Sequence, residues 1–127
     1  MITSYSWTLN GKGGSQKNPT WNDIYDHLRQ LVDGAGTLSI DIVDIVDSGP
    51  DFLQVRAENN HFMVMLGEVT EDDYNVRNYM GGVISNNKVE VLGDYWPESQ
   101  LTKDFEFVVR VFKEFFETGN VSTSLLN

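Results

Sequence analysis

Several segments between Thr37 and Val91 alternate apolar and polar residues, as a shorter one does at Tyr5–Leu9. Between Trp21 and Val32 and between Phe105 and Phe116 the apolar residues recur at every third or fourth position. Strands grouped together, with a helix before and a helix after, exclude repeated βαβ units and the parallel sheets built from them. The grouping predicts an α+β fold: a largely antiparallel sheet of about five to six strands packed against two helices. At 127 residues the chain is expected to form a single domain over residues 1–127.

The segments follow from side-chain spacing. In "SYSWTL", Tyr5, Trp7 and Leu9 share one side and Ser4, Ser6 and Thr8 the other, which predicts a half-buried strand. "NGKGGSQKNP" reads as a polar, glycine-rich loop. Thr20 with Asp23 three positions on forms a variant capping box, and Trp21, Ile24, Leu28, Leu31 and Val32 follow at helical spacing until Gly34 and Gly36. "TLSIDIV" is expected to turn Leu38, Ile40 and Ile42 inward, and "DSGPD" to reverse the chain. "FLQVRAE" and "HFMVMLGEV" are expected to form a hairpin around Glu58, Asn59 and Asn60. "NVRNYM" and "GGVISNNKVEVLG" predict further strands, with Asn86 and Asn87 as a tight turn. A final helix carries Phe105, Val108, Val109, Phe112, Phe115 and Phe116 as one stripe, with Thr102 as its expected N-cap and Gly119 as its end. "GDYWP", just before that helix, reads as a loop. Trp96 there is expected to be partly buried as a staple, and Tyr95 to be exposed.

Several chemistries are excluded or weakened by residue type. Without cysteine there is no disulfide, thiol nucleophile or thiolate zinc site. His27 and His61 are expected at a helix surface and a strand edge, and no GxSxG elbow accompanies them. Asp41, Asp44 and Asp47 in "DIVDIVD" would alternate across a strand, so they would not converge on one ion. "GKGG" at 11–14 lacks the spacing of a phosphate-binding loop. The expectation is no cofactor, no metal and no catalytic residue. No basic-then-apolar leader and no run of about 20 apolar residues is present, so neither a signal peptide nor a membrane span is expected.

Charge is the most informative functional signal. The net charge is −10, which disfavours nucleic acid and anionic lipid and favours a basic partner. From Asp33 to Asp73 there are ten acids (Asp33, Asp41, Asp44, Asp47, Asp51, Glu58, Glu68, Glu71, Asp72, Asp73) against one base, Arg56, a local excess of nine negative charges. "EVTEDDYNVRNY" sets Tyr74 beside Glu68, Glu71, Asp72 and Asp73. Carboxylates around an aromatic ring suit a docking surface for Arg and Lys of another protein. Asp94 with Tyr95 repeats the pattern, and Asp44 and Asp47 add to it.

"SYSWTLNGKGG", "PTWNDIYDHL", "DDYNVRNY", and "GDYWP" with "DFEFVVRVFKEFFETGNVS" resemble small bacterial immunity proteins of contact-dependent inhibition and related polymorphic-toxin systems. The resemblance implies a cytoplasmic, acidic, non-enzymatic α+β protein. Such a protein neutralises a cognate toxin domain, often a basic nuclease, by blocking its active site or substrate access. The contacting set expected from charge and aromatic placement is Glu68, Glu71, Asp72, Asp73 and Tyr74, with Asp94 and Tyr95, and then Asp44 and Asp47. An acidic adaptor or effector chaperone fits the same field. A small hydrolase would instead require two acids with raised pKa values in one pocket.

Overall fold

The computed structural model describes residues 1–44 and 47–127. The elements run β1 (Thr3–Leu9), β2 (Lys12–Lys17), α1 (Trp21–Gln30), β3 (Gly36–Ile42), β4 (Gly49–Glu58), β5 (His61–Val69), β6 (Tyr74–Asn78), β7 (Lys88–Val91), β8 (Asp94–Pro97) and α2 (Phe105–Thr118). Six strands form one antiparallel sheet in the order β2-β1-β3-β4-β5-β6, and β7 pairs with β8 in a separate hairpin. This is the α+β fold that the grouped periodicities predict.

Both helices lie on one face of the sheet. Leu38 and Ile40 on β3, Leu53, Val55 and Ala57 on β4, and Phe62, Val64 and Leu66 on β5 meet Ile24 and Leu28 of α1 and Val108, Val111, Phe112 and Phe115 of α2, all buried. Burying each of the larger apolar side chains contributes about 1.5–3 kcal/mol before conformational entropy is counted. The Thr20–Asp23 box starts α1: the Thr20 hydroxyl accepts from the Asp23 N–H at 3.1 Å, and Asp23 accepts from the Thr20 N–H at 2.8 Å. These bonds hold the Asp23 carboxyl below its ordinary pKa. Val32 falls beyond the helix and is exposed.

The hairpin β7–β8 covers part of the opposite face, which makes a third layer. Val91, with Val89 and Trp96 half-buried beside it, packs on Met63, Met65 and Leu101. Arg56 pairs with Asp94 at 3.2 Å, and the Leu92 N–H donates to Glu58 at 3.0 Å. Tyr95 is 65% exposed, as expected, and Trp96 is partly buried, but against the sheet face away from α2 rather than as a staple for that helix, and both stand on a strand rather than in a loop.

Four further local expectations are corrected. Residues 12–17 form a strand because Asn10 and Gly11, at φ 49° and 89°, turn the chain back along β1. Gly14 lies opposite Trp7, where a Cβ would sit 3.0 Å from the indole, so the glycine lets the ring lie against β2. The turn of the last hairpin is Leu92–Gly93, at φ 55° and 88°, and not Asn86–Asn87; residues 81–87 form no strand. The N-cap of α2 is Asp104, whose carboxylate accepts from the Phe107 N–H, while Thr102 bridges its backbone to Phe62. His27 is half-buried between Tyr5 and Trp7, with ring centroids 5.1 and 4.7 Å away, and helps seat α1 on the sheet.

Candidate protein-binding surface

The register decides which acids meet. Gly49 pairs with Val69, so the loop before β4 and the turn after β5 open at the same end of the sheet. Asp44 and Asp47 stand on the first and Glu71, Asp72 and Asp73 on the second, all exposed. β3 ends at Ile42, which leaves Asp44 and Asp47 in the loop, outside the alternation expected for them. Asp44 accepts from the Ile2 N–H at 3.1 Å, and both acids border an open concavity of ≈ 400 Å³.

The β5–β6 turn is closed by its own groups. The Thr70 N–H donates to the Asp73 carbonyl at 2.9 Å, and the Asp73 N–H donates to the Thr70 hydroxyl at 3.1 Å. The Asp73 carboxylate in turn accepts from the Tyr74 N–H at 2.7 Å. Glu71 and Asp72 are thereby held outward at the tip. Two ion pairs occur among the described residues, Arg56–Asp94 and Arg77–Glu68. Asp44, Asp47, Glu71, Asp72 and Asp73 are exposed, and none of them forms an ion pair among the described residues.

Tyr74 is fixed beside them. Its ring stacks on Phe52 with centroids 6.3 Å apart and planes 12° apart, and its hydroxyl donates to Asp51 at 2.6 Å. The two rings cross the space above Gly67, where a Cβ would collide with both. Burial and the Asp51 carboxylate push the Tyr74 phenol well above its ordinary pKa. Asp41 is raised as well, by burial and by the neighbouring Asp51. Tyr74 nevertheless remains 43% exposed, so it offers a pre-positioned aromatic surface at the rim of the acidic end.

The remaining sequence-predicted residues lie elsewhere. Glu68 points to the helix side of the sheet, where it accepts from Asn75 at 2.9 Å and pairs with Arg77 at 3.6 Å; its charge is spent inside the fold. Asp94 is bound to Arg56, seven residues along β4 from Gly49, or ~23 Å of extended strand from the acidic end. Tyr95 stands with it, its phenol pushed up by a hydrogen bond to Glu90. The structure thus brings Asp44, Asp47, Glu71, Asp72, Asp73 and Tyr74 to one end, and places Asp94 and Tyr95 apart.

Sequence reasoning missed two groups. Asp51, the residue at the bulge between Pro50 and Phe52, orients Tyr74. Met80, Val83 and Ile84, which follow β6, are exposed, Ile84 by 96%. The first depends on a register that sequence does not show, whereas in the second Val83 and Ile84 were visible as an apolar pair between Gly82 and Ser85. Among the described residues no helix is long and apolar enough to cross a membrane, and no three potential ligands converge as a metal site requires.

The chain is similar to a hypothetical protein from Neisseria gonorrhoeae whose crystal structure superposes with a TM-score of 0.80; the match is 21% identical and covers 96% of this chain and 91% of that one. At that identity the likeness establishes a common fold. No curated protein matches. The match to DUF6911, a family of unknown function, runs over residues 2–125, essentially the whole of the fold described above, and the chain belongs to that family.

Proposed function

We propose that the protein is a non-enzymatic immunity protein that binds a cognate toxin domain with a basic surface, such as a nuclease, and blocks its active site or its access to substrate. The observation that carries this reading is the set of five exposed carboxylates at one end of the sheet, Asp44, Asp47, Glu71, Asp72 and Asp73, none of them in an ion pair among the described residues, next to a fixed Tyr74. Concentrated like charge on a rigid turn raises the energy of the isolated protein and is relieved by a cationic partner. Such a partner must neutralise phosphate in its own work, so an acidic inhibitor competes for the same groove. Action on a toxin inside the producing cell would place the protein in the cytoplasm.

The test is co-purification of the tagged protein with the product of the reading frame immediately upstream, followed by titration of the two. A one-to-one complex is expected. Reversing charge at Asp72→Lys and Asp73→Lys together should weaken it by at least about tenfold. Unchanged affinity would remove this end of the molecule from the interface, and absence of any complex would refute the reading.

A further inference from the structure

The sheet has two edges, and they differ. β2 carries Lys12 and Lys17 around Gly13, Gly14, Ser15 and Gln16, with every residue exposed. Lysine at an edge discourages pairing, and glycine offers a partner nothing to bury. β6 carries no lysine. Tyr74 and Val76 are exposed on it, and Met80, Val83 and Ile84 follow.

The hydrogen bonds of β6 show which of its backbone groups face outward. Asn78 donates to the Asn127 carbonyl at 3.2 Å and accepts from the Asn127 N–H at 3.0 Å, so both of its groups point away from β5. Tyr79 donates to the Val64 carbonyl on the other side. Because successive residues of an antiparallel strand alternate in direction, Asn75 and Arg77 bond β5, while Tyr74 and Val76 point outward with Asn78. The Tyr74 N–H is taken by Asp73. The Tyr74 carbonyl and both groups of Val76 have no backbone partner among the described residues. Asn127 thus pairs with β6 from outside the sheet, at the rung next to Val76.

We propose that the β6 edge takes up an extended segment of a cationic protein as an added strand, Val76 bonding its backbone and Tyr74 and Val76 covering its apolar side chains. This rests on the immunity reading for the identity of the partner and gives its mode of attachment. Charge selects the occupant. Glu71, Asp72 and Asp73 immediately precede the edge, so a strand laid along it ends among carboxylates and gains from Lys or Arg there. A second copy of this chain is a poor occupant. It carries a net charge of −10, and its own Asn127 fills the rung that a symmetric pairing would need.

The edge can be tested with a synthetic octapeptide of alternating lysine and valine, and with the same peptide N-methylated at its central amides. The second peptide keeps charge and side chains but cannot form rungs. The first should bind, slow hydrogen exchange at the Val76 amide, and bind at least about tenfold more tightly than the second. Comparable binding of the two, unchanged exchange at Val76, or no binding would overturn the proposal. In the toxin titration, Val76→Pro should weaken the complex similarly. Its missing N–H is one that the sheet does not use, and Val76→Lys, checked for a native spectrum, serves should the proline variant not fold. Full toxin binding by these variants would sink the edge and leave the immunity reading standing. A toxin that the wild-type protein fails to bind would sink the immunity reading, and the peptides would still judge the edge.

Discussion

Arg77 is buried to 8% exposure, yet its principal partners are carbonyls rather than an acid. It donates to the Leu126 carbonyl at 3.0 and 3.3 Å, to the Val121 carbonyl at 2.6 Å and to the Asn120 side chain at 3.2 Å, with Glu68 further off at 3.6 Å. One side chain therefore ties the tail after α2 to β6. Arg77→Ala leaves these acceptors without their donor and should cost about 3 kcal/mol, read as a lower midpoint in urea with the slope unchanged. Tyr74 supplies a pH test. Its phenol is raised in the fold, so its contribution to stability is complete below the ordinary phenol pKa of 10.0 and is lost as pH climbs above that value. Tyr74→Phe keeps the stack on Phe52 and removes the bond to Asp51. It should cost about 1 kcal/mol at neutral pH and should lose less stability than wild type in alkali. Equal alkaline losses in the two proteins would show that Tyr74 is not the responsible group.

The elements differ in how openly the sequence declares them, and the reason is burial. α1 and α2 bury a stripe, so their spacing and caps are readable, and the same holds for β3, β4 and β5, which bury alternate residues against the helices. β2 buries neither face and has no alternation to read; its one signal is the Asn10–Gly11 turn. Thr102 and Asp104 are both competent N-caps, and only the bridge between Thr102 and Phe62, which commits that backbone to the sheet, decides between them. Asp104→Ala should accordingly destabilise the protein by about 1 kcal/mol in thermal or chemical unfolding, by freeing the Phe107 N–H. The acidic end was half readable. Glu71, Asp72, Asp73 and Tyr74 are contiguous in sequence, but that Asp44 and Asp47 join them, and that Glu68 and Asp94 do not, follows from the Gly49–Val69 register and from Arg77 and Arg56 claiming those two carboxylates.

Across the whole molecule the charge of −10 is held at unequal cost to function. Carboxylates already paired inside the fold cannot steer a partner without giving up an arginine, whereas those at the β3–β4 and β5–β6 ends can attract one from a distance. Steering of this kind raises the association rate toward about 10⁸ M⁻¹s⁻¹ and leaves dissociation to the contacts that are finally buried. The two parts of the surface should therefore separate kinetically. With the proposed toxin domain as partner, Asp72→Lys with Asp73→Lys should slow association about tenfold at low salt, and the difference from wild type should fade toward ~1 M salt, where screening acts within ~3 Å. Tyr74→Ala removes an aromatic ring and little charge, so it should instead hasten dissociation at every ionic strength. Stopped-flow association and dissociation across a salt series measures both. If the charge reversal acted on dissociation alone, or its effect held constant with salt, the exposed carboxylates would be close-range contacts and long-range steering by the acidic end would be refuted.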